Sequence, residues 1–600
     1  MNKTLKYILC ASIVIASCNV NAQESGGYNE SVVVRGSYRP VIEQSEKINF
    51  PAVITDSLDK MQHNFRYSIT PSRLKALYEP SRIKAARIVG EPATKLYNNY
   101  LRLGFGNYWT PLADLYWSST RDRRKTYGIR VNHRSSWGGL HDVDGSDFGP
   151  NHMNQTGVTL FGKYIAAEKL QLSTDLSYEH DHNLYYGFND STLQSVLGLV
   201  RDSISTSDYR ASYNVATWNF GVSNMQLDVN KLGYAANVHL SDLWATYGRN
   251  ELHLNLSGNV HYGFNIKNQY KGVAYLHMEW DGFANKINHD GQMPLGYGFI
   301  NTPSGYTTLP APTDTVRGYR NIVKVNPYVD FDFSGLNFHA GFTTAWDGFS
   351  SDTAVVFRFF PDVVVSKKLM KNNLVLSLGV TGGIDANSWN TIRIVNPYIA
   401  PDADLKATSH YDFAFHTRWS ISKKLEANAE VAFQIMNNDM TFGLNRLYGM
   451  ENVYKPLYID NNRFVFGGTI TFVNDEMLTL RAGGHYYHYS DLKDDGDALA
   501  LTEMLYRPNW DALLAADVNY KDKWFFHLEG QLLGKMYGDN YDVLPMRYGV
   551  NAEVEYRHNR ALSFFVRMDN LAFQRYWLWS NYPSQRGLFI GGLTYTIPHK

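Results

Sequence analysis

The stretch RGLFIGGLTYTIPHK, residues 586–600, decides the fold. Side chains of a strand point alternately to opposite faces, so Phe589, Gly591, Leu593, Tyr595 and Ile597 share one face, while Leu588, Ile590, Gly592, Thr594 and Thr596 share the other. The first face is oily and the second is mixed. What the oily face touches defines the protein.

Composition narrows the answer. Tyrosine supplies 42 of the 600 residues, beside 31 Phe, 13 Trp and 47 Gly, a load that suits strands and tight turns better than helices. Basic and acidic residues balance at 57 each, which gives no reason to expect a nucleic-acid partner. Mean hydropathy is −0.34. That value does not argue against a membrane, because a spanning strand is apolar only at alternate positions and its hydropathy averages out. No linker or charge run divides the chain after about residue 97, so one large unit is expected.

The first 22 residues read as a secretory signal peptide. Lys3 and Lys6 form a positive start, residues 7–16 an apolar core, and Val20-Asn21-Ala22 a small-residue cleavage site before Gln23. A competing reading takes Ile15-Ala16-Ser17-Cys18 as a lipidation box. Cys10 and Cys18 both fall in this segment, so cleavage after Ala22 leaves no thiol for disulfides, metal ligation or nucleophilic attack. The expected organisation is a signal peptide over 1–22, an extended periplasmic or luminal segment over 23–97, and a strand-built body over 98–600.

From about residue 98 the apolar period is two. Leu170, Leu172, Thr174, Leu176 and Tyr178 oppose Gln171, Ser173, Asp175, Ser177 and Glu179, and the pattern returns in 252–262 and 548–556. A soluble sandwich would show the same alternation in any one strand. Loop lengths separate the two cases. Connections alternate between short (121–125, 166–169, 334–337, 370–373, 422–426, 474–477, 520–523 and 557–560) and long (137–151, 181–206, 284–320, 387–407, 436–462, 490–508 and 572–585). Outer-membrane barrels sort their loops in this way, with tight periplasmic turns and long extracellular loops. Strands counted through these turns come to about 22, an even number. The expected fold is all-β: a transmembrane antiparallel barrel whose oily face meets outer-membrane lipid and whose last strand zips to its first, since lipid leaves no edge unpaired.

In FFVRMDNLAFQRYWLWSNYPSQRGLFIGGLTYTI (564–597), the residues Asp569-Asn570-Leu571, Phe573, Tyr576, Tyr582-Pro583 and Arg586-Gly587 resemble the C-terminal end of TonB-dependent outer-membrane receptors. Pro598-His599-Lys600 depart from the terminal aromatic common in such chains. ESVVVRGSYRP (30–40), with Ser31, Val32, Val33, Val34 and Arg35, looks like the stretch that carries the TonB box. The resemblance implies a 22-stranded barrel, ligand import and TonB or other envelope proteins as partners. It also implies a plug of well over a hundred residues, whereas residues 23–97 are too few and lack its Gly-rich pattern. A lumen of this width needs filling, by the 23–97 segment, by loops folded inward, or by a partner. Residues 72–97 carry Arg73, Lys75, Arg82, Lys84, Arg87 and Lys95 against Glu79 and Glu91, which suits either docking on luminal acids or a solvated tail.

Alternation places Arg130, Asp175, Glu179, His253, His261, Asp330, Asp332, Glu553 and Glu555 on the luminal face, with His277, His339 and His527. The histidines are expected to hydrogen-bond within the wall rather than hold a metal. Two acidic loops offer weak Ca²⁺ candidates, Asp142, Asp144 and Asp147 in one and Asp494, Asp495 and Asp497 in the other. Neither has the EF-hand spacing, so a solvated loop is favoured. Aromatic loop stretches at 183–188 and 575–582 read more readily as interfacial anchors than as ligand stackers. No cofactor motif and no catalytic constellation appears, and the chain is not expected to be an enzyme. Two functions compete: binding or importing an unspecified ligand, and serving as a non-transporting subunit of an outer-membrane assembly or secretion complex. A plug-free pore ranks behind both.

Overall fold

A computed structural model describes residues 99–596, apart from 120–121, 123, 142–146, 167–168, 189–193, 195–203, 225–230, 267–269, 289–293, 296, 298, 303–304, 309–314, 334, 350–354, 446–448, 495–501 and 540–541. The signal peptide, the 23–97 segment and Ser31, Val32, Val33, Val34 and Arg35 lie outside the described residues. So do Asp142, Asp144, Asp495 and Asp497. Asp147 and Asp494 end strands whose backbone alone is described there.

The body is one antiparallel sheet of 22 strands. Each strand pairs with the next in sequence, and the last, Leu588–Tyr595, pairs with the first, Asn99–Gly106, in the register Leu103↔Leu593. Closure removes every edge, as a strand wall in lipid requires. The first strand starts and the last strand ends at the rim of short turns, so the even count is borne out.

The alternation of the final strand decides its faces as expected. Phe589, Leu593 and Tyr595 are exposed outward, while Leu588, Ile590 and Thr594 are buried inward. The outward pattern holds around the barrel: Leu103 and Phe105, Leu115 and Trp117, Leu160 and Tyr164, Leu252 and Leu256, Phe464 and Phe466. This apolar belt is the surface that hydrocarbon covers.

The loop pattern holds with three corrections. At the rim of long loops, residues 107–109 and 246–248 are tight connections, and only five residues separate the strands Leu336–Phe349 and Val355–Leu369. Two of them turn on non-glycine residues with positive φ, Tyr108 (57°) and Trp109 (48°) in one and Tyr247 (63°) before Gly248 (76°) in the other. Such turns favour Asn-Gly or Gly pairs, so Tyr108-Trp109 carries no hairpin signal and Tyr247-Gly248 only the half that Gly248 supplies. The Tyr247 turn lies between 206 and 270. Strands there run Arg210–Asn224, Leu232–Ala245 and Arg249–Ile266. Strands also reach farther into the long loops than expected, as Leu425–Leu444 and Tyr454–Asn474 show.

Candidate functional site: the lumen and the loop cap

The luminal face is polar and internally paired. Arg102 donates to Glu553 at 2.9 Å, both buried, and its guanidinium lies 3.7 Å over the Phe565 ring. This joins the first strand to Arg547–Arg557 across the intervening strands, behind the closing seam. Glu555, two residues on, is fully buried. Histidines pair with carboxylates along the wall: His253 with Asp281 (3.1 Å), His339 with Asp330 (2.6 Å) and Asp362 (3.1 Å), His527 with Asp517 (2.6 Å), and His277 with Glu279 at 4.0 Å. Lys324 closes a network with Glu279 (3.1 Å) and Asp281 (3.5 Å). The His261 ring sits 5.4 Å from Tyr275, which stacks on Tyr328 at 4.5 Å.

Arg130 is opposite Tyr116, Asp175 is opposite Asn219, and Asp332 is exposed near the short-turn rim. Among the described residues, no group of three or more His, Cys, Asp or Glu side chains could hold a metal ion.

At the other rim the long loops fold over the mouth and build a hydrophobic core. Its members come from 184–188, 209–215, 389–405, 442, 450–454, 505–506, Met536 and Leu544, with Leu140, Leu243, Tyr247 and Tyr582, and Trp389, Ile399, Ala400, Met450, Val453, Tyr454 and Tyr582 are wholly buried. Tyrosine dominates because each ring fills space while its hydroxyl satisfies a loop carbonyl. Tyr398 stacks on Tyr582 at 3.6 Å, and Tyr186 meets the Tyr582 edge at 4.9 Å. Tyr185 donates to the Ile399 carbonyl (2.7 Å), Tyr186 to Pro583 (3.1 Å), Tyr454 to Ser580 (2.6 Å), and Tyr582 to Asn452. Burial raises three of these phenols: Tyr398 is pushed up to about 12, Tyr186 is raised by burial and by neighbouring Tyr398, and Tyr454 by burial and by Tyr506.

This corrects the reading of the aromatic loop stretches. Residues 183–188 and 575–582 do not anchor in the membrane interface; they meet each other over the mouth. Local sequence gives the same aromatic signal for either arrangement, and only the distant partner distinguishes them.

Charged wall residues hold the cap down. Within loop 386–407, Ser388 caps the short helix Trp389–Val395 through a capping box with Thr391. The Trp389 amide donates to Glu251 at 2.8 Å, and Arg249 lies 4.4 Å over the Trp389 ring. Arg393 is buried and pairs with Asp181 and with Glu179 (3.1 Å). Arg320 donates to the Leu405 carbonyl (3.0 Å) and to Asn387. Of the acids expected to receive a basic segment, Glu179, Asp330 and Glu553 are thus engaged from within the barrel. Arg393, Arg249, Arg320 and Glu251 were not singled out in the sequence. For Arg249 and Arg320 the signal was an arginine near the loop-side end of a strand, whereas Arg393 lies in the loop helix and gave none.

No family model matches the sequence, and no curated protein is similar to it. Solved structures do match in fold. The ferric-catecholate import receptor Fiu from E. coli K12 is 12% identical, over 84% of this chain and 82% of that one, with a TM-score of 0.57. The siderophore receptor PirA from Acinetobacter baumannii is 11% identical over 84% and 81%, with a TM-score of 0.59. A variant of the ferric enterobactin receptor PfeA from Pseudomonas aeruginosa, in complex with enterobactin, is 13% identical over 83% and 81%, at 0.58. The chain is an outer-membrane β-barrel with the architecture of these receptors.

Proposed function

We propose that the chain is an outer-membrane receptor that takes a ligand at its capped mouth and passes it through the lumen, drawing on TonB through residues 31–35. The observation that supports this reading best is the cap. A 22-stranded lumen lies beneath loops held by a few wall contacts, Arg393, Arg249, Arg320 and Glu251, that can be released without breaking the barrel. The fold of import receptors adds to it.

Ferric enterobactin is a suitable first probe, because two of the structural relatives are named for catecholate or enterobactin. Cells carrying the chain as their sole candidate receptor should take up the labelled chelate and lose uptake when 30–40 is deleted. The purified chain should bind the TonB C-terminal domain and lose it with the same deletion. Failure of both measurements removes the import reading.

A second reading is favoured by the depth of the cap's core: with Trp389, Tyr454 and Tyr582 wholly buried, the described loop residues form folded structure rather than loose loops. That suits a non-transporting subunit of an envelope assembly. Purification in mild detergent should then bring stoichiometric partners.

A further inference from the structure

The sequence Ser-Lys-Lys-Leu occurs twice at the short-turn rim, as residues 366–369 and 422–425. The first leads into the turn between Val355–Leu369 and Leu374–Asp385, and the second spans the turn between Thr408–Ser422 and Leu425–Leu444. Because Leu374–Asp385 pairs with Thr408–Ser422, the two turns are neighbours, about 10 Å apart at two strand spacings. The Ser420 amide ties them together, donating to the Asn373 carbonyl at 2.7 Å. With Lys371, five lysines gather on one stretch of the rim.

Most of this charge is uncompensated. Lys424 pairs with Asp475 at 3.6 Å, and Glu426, in the same hairpin, is held by Arg418 at 3.1 Å. Lys367, Lys368, Lys371 and Lys423 are exposed and form no ion pair among the described residues. Like charges within about a Debye length repel, so the cluster attracts an anion from outside the chain. The setting narrows the anion. Lys367 shares the outward parity of Val363 and Phe359, while Ser366 is buried inward. Its ammonium therefore rises from the end of the lipid-facing belt, where a lysine snorkels to the headgroups. The belt's last apolar row, Leu369, Leu374 and Trp419, borders the lysines, and Met370 and Ile421, 63% and 43% exposed, project beyond it. Met370 (φ 50°), Lys371 (57°) and Asn372 (73°) are consecutive non-glycine residues with left-handed backbone, strain of the kind that gathers where a turn holds a ligand.

We propose that the twin turns bind the phosphate of an anionic phospholipid, phosphatidylglycerol being the simplest, with Met370, Trp419 and Ile421 against its acyl chains. Short turns of such barrels face the periplasm, so the lipid belongs to the periplasm-facing leaflet. Charge selects the headgroup, and continuity with the belt selects a lipid over a soluble anion. The inference rests on the barrel alone and holds whether or not the chain imports a ligand.

Native mass spectrometry of the full chain, purified in mild detergent and titrated with phosphatidylglycerol or phosphatidylcholine, tests it. Phosphatidylglycerol should stay bound under activation that strips phosphatidylcholine. Lys367→Gln, Lys371→Gln and Lys423→Gln together should weaken its binding about tenfold or more, since each lysine beside an anionic lipid contributes about fivefold. Lys367→Arg, Lys371→Arg and Lys423→Arg should retain it. Lys169→Gln, Lys271→Gln and Lys521→Gln, which remove the same charge from three separate short turns, should leave it unchanged. Equal loss in both glutamine variants reduces the binding to bulk charge and overturns the site. Phosphatidylcholine held as firmly overturns headgroup recognition, and displacement by excess inorganic phosphate overturns the lipid as occupant.

Discussion

The barrel wall and the loop cap are made from the same aromatic and aliphatic residues by opposite means. In the wall, Leu103, Trp117, Leu160 and Phe464 point out to solvent lipid, and backbone pairing between sequence neighbours carries the structure. In the cap, Tyr186, Tyr398, Tyr454 and Tyr582 are drawn from four distant loops and point at one another. The wall is therefore stabilised by the membrane and the cap by its own core. The two should fail separately, and each prediction below tries to separate them.

Alkali should do so most strongly. Tyr186, Tyr398 and Tyr454 of the cap are buried and raised, Tyr398 to about 12, against an ordinary value of 10.0. Raised folded values mean that the cap is fully stable below pH 10, then loses stability as unfolded tyrosines ionise first, through about pH 12. Tyrosinate absorbance should show a late step that coincides with loss of loop protection, while the folded barrel's heat-modifiable mobility persists. A single step that takes wall and cap together breaks the comparison.

Tyr582→Ala comes next. It empties the centre of the ring cluster and should cost the cap about 3–5 kcal/mol, the range for truncating a large buried aromatic. Limited proteolysis should then cut within 386–407 while the barrel band stays intact. Arg102→Ala acts on the wall instead, removing the cation 2.9 Å from buried Glu553. It should lower barrel stability by about 2 kcal/mol in a urea refolding titration and leave the cap's proteolysis unchanged. Arg418→Ala should do neither: its pair with Glu426, at 3.1 Å, is exposed at the short-turn rim, where solvent screens it, and the titration should not move.

The same contrast explains what could be read in advance. The wall was legible because pleat geometry writes a period of two into every strand, and loop parity distinguishes the two rims. Leu252, Leu254 and Leu256 declare their faces without knowledge of any partner. The tight turns at Tyr108-Trp109 and Tyr247 were hidden because Tyr or Trp stands at left-handed positions that usually hold Asn or Gly. The cap was hidden for a deeper reason: Tyr186 and Tyr582 lie 4.9 Å apart with most of the chain between them, and no local pattern specifies that meeting.

Hydrogen exchange of the reconstituted chain tests the central claim most directly, because the cap has its own backbone bonds. Ala400 donates to the Tyr454 carbonyl at 2.7 Å, Tyr454 to Tyr398 at 2.9 Å, and Tyr185 to Tyr209 at 2.7 Å. If the loops form a folded core over the mouth, peptides spanning 396–407 and 449–456 will exchange as slowly as the wall strands. Exchange of those peptides at the rate of a free loop would contradict it.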